Sequence, residues 1–194
     1  GYVSVDIIYV DHKASGLNDG SSWENAYRDL QDALDEAAMD DTIWVAEGTY
    51  YPSKPFSLYG TTYDPRETTF LVHRENLIGG FAGTETSPDQ REIGAYETIL
   101  SGDLGIEGDM SDNAFHVVTF MNSQAIFDGF TVTKGNADGG GACLDQDDGG
   151  GIYIWCIGDG NFNSPSISNC IIEENHALVG GGLFVTGINK GVSR

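Results

Sequence analysis

The chain has 194 residues, of which 40% are apolar. That is enough for one domain with a real core, and it excludes a wholly disordered chain. Acidic residues number 30 against 9 basic ones, a formal net charge of −21. So negative a surface repels nucleic acid and anionic membrane, so neither is expected as a partner. No apolar run reaches the roughly 20 residues of a membrane-spanning helix, so no membrane insertion is expected.

In chain order, Ile7-Ile8-Tyr9-Val10 reads as a strand, followed by a Gly-rich turn from Asp11 to Gly20. Ser21 lies three residues before Glu24, the spacing of a capping box. Trp23, Tyr27, Leu30, Leu34 and Ala38 follow at three- and four-residue intervals. Together these predict one amphipathic helix that ends at Asp40-Asp41. Beyond it, short β-branched runs recur, each closed by Gly, Asn or Asp. They are Ile43–Val45, Thr69–Val72, Leu77-Ile78, Thr98–Leu100, His116–Phe120, Ile126–Val132, Ile152–Ile154, Ser166–Ile172 and Leu183–Val185.

Short strands at such spacing fit a sandwich, a barrel or a solenoid. Internal repeats choose among them. Ile126–Ala137 is similar to Ile167–Ala177, and Gly149-Gly150-Gly151-Ile152-Tyr153 to Gly180-Gly181-Gly182-Leu183-Phe184. Self-similarity of this kind marks stacked repeats. The fold expected is all-β, a right-handed parallel β-helix with an N-terminal amphipathic capping helix. It forms a single domain over 1–194, with a strand and capping helix in 1–42 and the coils in 43–194. In that picture Trp23, Tyr27, Leu30 and Leu34 lie as a lid over the first coil, whose apolar side chains would otherwise face water.

Several segments resemble the opening of bacterial right-handed β-helix repeat proteins of the choice-of-anchor surface group. They are Ile8-Tyr-Val-Asp11, Asn18–Tyr27, Leu30–Leu34, Ile43–Tyr50, Gly79–Glu85, Asp89–Arg91, Thr98–Asp103 and Asp128–Val132. The Gly-Gly-Gly-Ile/Leu clusters and Ile172-Glu-Glu-Asn175 are similar to polymorphic outer-membrane protein repeats. The resemblance implies that fold and a secreted or cell-surface setting, and little chemistry.

Enzymes that cleave polysaccharides use β-helix scaffolds, so a lyase or glycoside hydrolase is the alternative function. A lyase needs a base beside a carboxylate cluster. The nearest candidate, Arg91 in Asp89-Gln-Arg-Glu92, reads better as a structural ion pair. Neighbouring acids at Asp145, Asp147 and Asp148, and at Glu173 and Glu174, read as solvated loops rather than a hydrolytic pair. His12, His73, His116 and His176 lack zinc-ligand spacing with the cysteines. No catalytic residue is assigned.

Asp103-Leu-Gly-Ile-Glu-Gly-Asp-Met-Ser-Asp-Asn113 alternates acids with glycines. Calcium accepts six to eight oxygens in irregular geometry, so Asp103, Glu107, Asp109 and Asp112 are the metal ligands expected, with calcium as the cofactor. Ala114 stands where an EF-hand loop needs a bidentate Glu. Asp145-Gln-Asp-Asp148 is a weaker candidate. Cys143 and Cys156 flank the Asp/Gly insertion and form a disulfide if the chain is extracellular, while Cys170 reads as a buried thiol. Tyr50, Tyr51, Tyr59, Tyr63, Tyr153 and Trp155 offer aromatic faces on which a glycan partner stacks.

The function expected is non-enzymatic: an extracellular or cell-surface structural protein acting in self-assembly or adhesion. A calcium-dependent glycan-binding module is a further alternative. Nothing after Val185 resembles a cap. Leu183, Phe184 and Val185 are therefore expected to form a free edge that docks head to tail on the N-terminal strand carrying Val3, Val5 and Ile7, building a filament.

Overall fold

The computed structural model describes residues 6–56, 64–140, 146–158 and 164–189. Its strands are β1 (Ile7–Val10), β2 (Thr42–Ala46), β3 (Gly48–Tyr50), β4 (Phe70–Val72), β5 (Asn76–Phe81), β6 (Thr98–Ser101), β7 (Val118–Met121) and β8 (Ile126–Asp128). They continue as β9 (Phe130–Thr133), β10 (Asn136–Ala137), β11 (Ile152–Gly158), β12 (Ser166–Ser168), β13 (Ile171–Glu173), β14 (His176–Ala177) and β15 (Leu183–Asn189). One α-helix, α1, spans Leu30–Glu36.

These strands pair in parallel in four sheets, ordered β1-β2-β5-β8-β12, β3-β6-β9-β13, β4-β7-β11-β15 and β10-β14. The chain visits the three larger sheets in rotation, so β2, β3 and β4 form one tier, and β12, β13 and β15 the outermost described tier at the other end. The all-β right-handed β-helix expected from the sequence is corrected here. The strands are divided among separate sheets, none closing or winding on without a break, and an α-helix is packed against them. The arrangement is a mixed parallel α/β one. The physical reason lies at the corners, where backbone of positive φ interrupts the ladders after a few residues. Gly129 and Asn169 (φ 84° and 50°) occupy equivalent corners, as do Lys134 and Glu174 (65° and 54°).

The repeats in the sequence are strands in register. Thr131 and Val132 face Ile171 and Ile172, and Asn136 and Ala137 face His176 and Ala177. Ile152 and Tyr153 face Leu183 and Phe184. The glycine clusters let backbones meet. A Cβ on Gly135 would lie 1.8 Å from Gly150 O, and one on Gly150 2.1 Å from His176 O.

The core is built from columns of apolar side chains, one residue per tier. Ile43, Leu77, Phe127 and Ile167 form one column and Tyr50, Leu100, Val132 and Ile172 another. Phe70, Val118, Ile152 and Leu183 form a third, with Val72, Phe120, Ile154 and Val185 beside it. Phe127 stacks on Phe130 with centroids 4.6 Å apart.

The predicted helix is also corrected. It begins at Leu30, not Ser21, because Asp29 is the N-cap and accepts from the Gln31 amide. Residues 20–27 instead bond to β1: Tyr9 N to Gly20 O, Tyr27 N to Tyr9 O, and Asp11 N to Tyr27 O, at 2.9–3.0 Å. Leu30 and Leu34 sit buried in the core cluster, with Tyr27 half-buried against it. Trp23 lies elsewhere, in an aromatic group with Tyr9, Trp44 and Phe81, its indole N–H donating to Glu85 O at 2.9 Å.

Candidate functional site

Three clusters of polar contacts stand out among the described residues. The first is the ion pair of Arg91 and Asp128, both largely buried. Arg91 also donates to Gly79 O at 2.8 Å, and its guanidinium lies 5.5 Å from the Phe81 ring centre. Asp128 further accepts from the Ser168 hydroxyl at 2.8 Å and the Asn169 amide at 2.5 Å. Burial raises the Asp128 pKa, but the bonds from Arg91, Ser168 and Asn169 outweigh it, so the carboxyl titrates below its ordinary range. The pair ties the loop before β6 to β8 and to the corner after β12, with Arg91 Nε left buried without a partner. It offers no free base.

The second is Arg66. Its guanidinium donates to Asn113 O at 2.7 Å, to Asn136 O at 2.5 Å and to Asp138 at 2.6 Å, and lies 4.2 Å from the Phe115 ring centre. One side chain thus clamps two corners that are distant in sequence. Nothing in the spacing of the sequence marks it.

The third is the acidic loop 103–113. Two backbone bonds order its base, Ala114 N to Gly102 O and Asn136 N to Ala114 O, each 2.8 Å. Asp103 Oδ2 accepts from Gly108 N at 3.1 Å, and Asp112 Oδ2 from Ile106 N at 2.7 Å. Asp109 caps the 3₁₀ turn Met110–Asp112, accepting from the Ser111 amide and hydroxyl at 2.9 and 2.7 Å. Those bonds, the hydroxyl's first, hold the Asp109 carboxyl below its ordinary range. Glu107 is exposed and, with Asp103 and Tyr51, lines an open hollow of about 330 Å³.

The four acids expected from the sequence to bind calcium are not drawn into one group. Among the described residues no three His, Cys, Asp or Glu side chains come together in a way that would hold a metal ion. Asp109 is turned onto Ser111 and Glu107 faces the hollow. Five buried oxygens of the described residues are left without hydrogen-bond partners: Gln31 Oε1 in α1, and in or beside this loop Asp103 Oδ1, Asp112 Oδ1, Asn113 Oδ1 and Asn136 Oδ1. Sequence reasoning missed both asparagines, because Asn136 is brought to the loop only by the sheet.

Of the six aromatic residues expected to bind glycans, four are described, and two of those do not offer a face to solvent. Tyr50 and Tyr153 are buried; the Tyr50 hydroxyl donates to Ala46 O at 3.1 Å, and Tyr153 stacks on Phe184 with centroids 6.0 Å apart. Tyr51 is exposed, while Tyr59 and Tyr63 lie outside the described residues. Cys143, Asp145, Val3 and Val5 also lie outside them, and with them the disulfide and part of the N-terminal strand. Cys156 is buried in the core, and Cys170 is half-buried against it. Asp147 accepts from the Gly140 amide at 2.6 Å, and Glu174 pairs with Lys134 at 2.6 Å.

The predicted docking edges, Ile7 and Leu183–Val185, fall in different sheets and at opposite ends of the molecule. In the first tier Phe70 and Val72 are 0% exposed, whereas their column partners Leu183 and Val185 are 38% and 56% exposed.

Comparison with protein families, with curated proteins and with solved structures finds no match to this chain.

Proposed function

We propose that this protein is a non-enzymatic structural module of a secreted or cell-surface protein, acting in self-assembly or adhesion through one end of its stacked sheets. The observation that carries the reading is the exposure of that end. There β12, β13 and β15 are the outermost described strands, and Ile171, Leu183 and Val185 are exposed on them. Leu178 and Val179 are exposed in the segment between β14 and β15. Strand edges with apolar neighbours recruit further strands. Such strands come from a second copy or from adjoining chain, and the reading commits to a second copy.

The head-to-tail form of the assembly meets an obstacle. The outer edge of β1 already bonds to residues 20 and 27, so a second copy has few free groups to pair with there. Contact between two open ends meets no such obstacle, and as an isologous contact it closes into a dimer.

Light scattering on the purified protein over a range of concentrations tests this. A dimer supports contact between open ends, growing polymers support head-to-tail stacking, and Val185→Lys abolishes either. A parent protein that stays monomeric at high concentration contradicts the reading.

A further inference from the structure

The acidic loop carries an inference that is independent of how the ends associate. Acidic residues in a loop are ordinary in so negative a chain. Asn113 and Asn136 are not ordinary: they are only 2% and 3% exposed, and each has a side-chain carbonyl oxygen without a partner. A buried polar atom without a partner is costly to keep, and Asp103 Oδ1 and Asp112 Oδ1 are buried in the same condition. The amide head of Asn136 reaches into the loop, since its Nδ2 donates to Met110 O at 2.8 Å. Its Oδ1 is the atom left over.

The backbone gathers the four residues. Asp103 follows Gly102, Asn113 precedes Ala114, and the Gly102–Ala114–Asn136 bonds run through those positions. Asp112 is next to Asn113 and lies close against Gly105, where an added Cβ would come 2.3 Å from its Oδ2. In both Asp103 and Asp112 one oxygen folds the loop and the other is buried without a partner. Carboxylate and amide carbonyl oxygens are the donors that hard cations select, and two carboxylates with two amides match the charge of a divalent ion. Arg66 brings a positive charge nearby, but it is paired with Asp138 and spends its other bonds on the main-chain carbonyls of Asn113 and Asn136, which fixes both residues.

We infer that Asp103, Asp112, Asn113 and Asn136 form a calcium site beneath loop 103–113, with Asp109 and Glu107 outside the ligand set. Calcium is favoured over magnesium because the donors come from a flexible Gly-rich loop and a corner, not from a rigid octahedron. Asp103 also lines the open hollow, which gives the ion a path in.

Calorimetry of calcium chloride into chelator-treated protein, paired with thermal melts, tests the assignment. The expected result is saturable heat and a raised Tm with calcium. Glu107→Gln leaves affinity within about threefold, and Asp112→Asn weakens it at least about tenfold. Asp112→Asn keeps an oxygen for the Ile106 amide, and Asp103→Asn serves equally should that variant melt early without calcium. No heat at millimolar calcium overturns the site. So does a loss in Glu107→Gln as large as in Asp112→Asn or Asp103→Asn.

Discussion

The two ends of the stacked sheets are built from the same kind of strand and finished differently. At the β1 end, residues 20–27 bond along the strand's outer edge, and α1 lays Leu30 and Leu34 against the core. At the β15 end the same columns finish in Leu183 and Val185, half open to water. Parallel stacking supplies each tier with a neighbour, but it says nothing about the tiers at the ends. Those need a separate device, and residues 20–36 provide one.

The largest effect separates the two ends directly. Leu30→Ala opens a cavity in the closed end and is expected to cost about 2–5 kcal/mol in denaturant unfolding. Val185→Ala, the matching loss at the open end, is expected to cost under about 1 kcal/mol. Equal costs would mean that the ends are equally covered.

Next comes the ion pair that ties β8 to the outermost described tier. Asp128→Ala leaves the Arg91 guanidinium, with a side chain 12% exposed, without its counter-ion. It also strands the Ser168 hydroxyl and the Asn169 amide. The expected loss is about 3 kcal/mol, read from urea melts. A loss confined to a few tenths would make the pair a surface contact and not a tie.

A smaller effect appears in acid. Asp128 and Glu85 titrate below their ordinary ranges in the folded chain. For Glu85, burial raises the pKa, and the amides of Ala82, Thr84 and Gly83, bonded at 2.7–3.1 Å, outweigh it. Between the folded and unfolded pKa the unfolded chain binds more protons, so stability rises with pH there. The contribution is complete above the ordinary carboxylate range, about pH 4–5. It is lost as pH falls through the lower folded values. Melts from pH 7 to 2 should show that loss, and Glu85→Gln should flatten it. A curve unchanged by the substitution would remove Glu85 from the account.

Much of the strand pattern was legible because it is local. Every β-branched run read from the sequence holds a strand, and the likeness of 126–137 to 167–177 is the register of β9 with β13 and of β10 with β14. The helix was over-read because Trp23 and Tyr27 happen to fall at helical spacing, while the backbone around them is committed to β1. Division into separate sheets depends on the corners, whose left-handed residues include Lys134 and Glu174, types that carry no turn signature. The candidate cation site was half legible. Asp103, Asp112 and Asn113 sit in one recognisable loop, but Asn136 reaches it only through its bonds to Ala114 O and Met110 O, and no spacing rule joins position 136 to a loop that ends 23 residues earlier.

The most direct test of the difference between the ends is hydrogen exchange followed by mass spectrometry at several protein concentrations. Residues 7–36 should be protected equally at every concentration, because their edge is closed within the chain. Residues 166–185 should gain protection as concentration rises, because a second copy covers β12, β13 and β15. Protection in 166–185 that does not change with concentration, or that changes in 7–36 instead, would contradict the account.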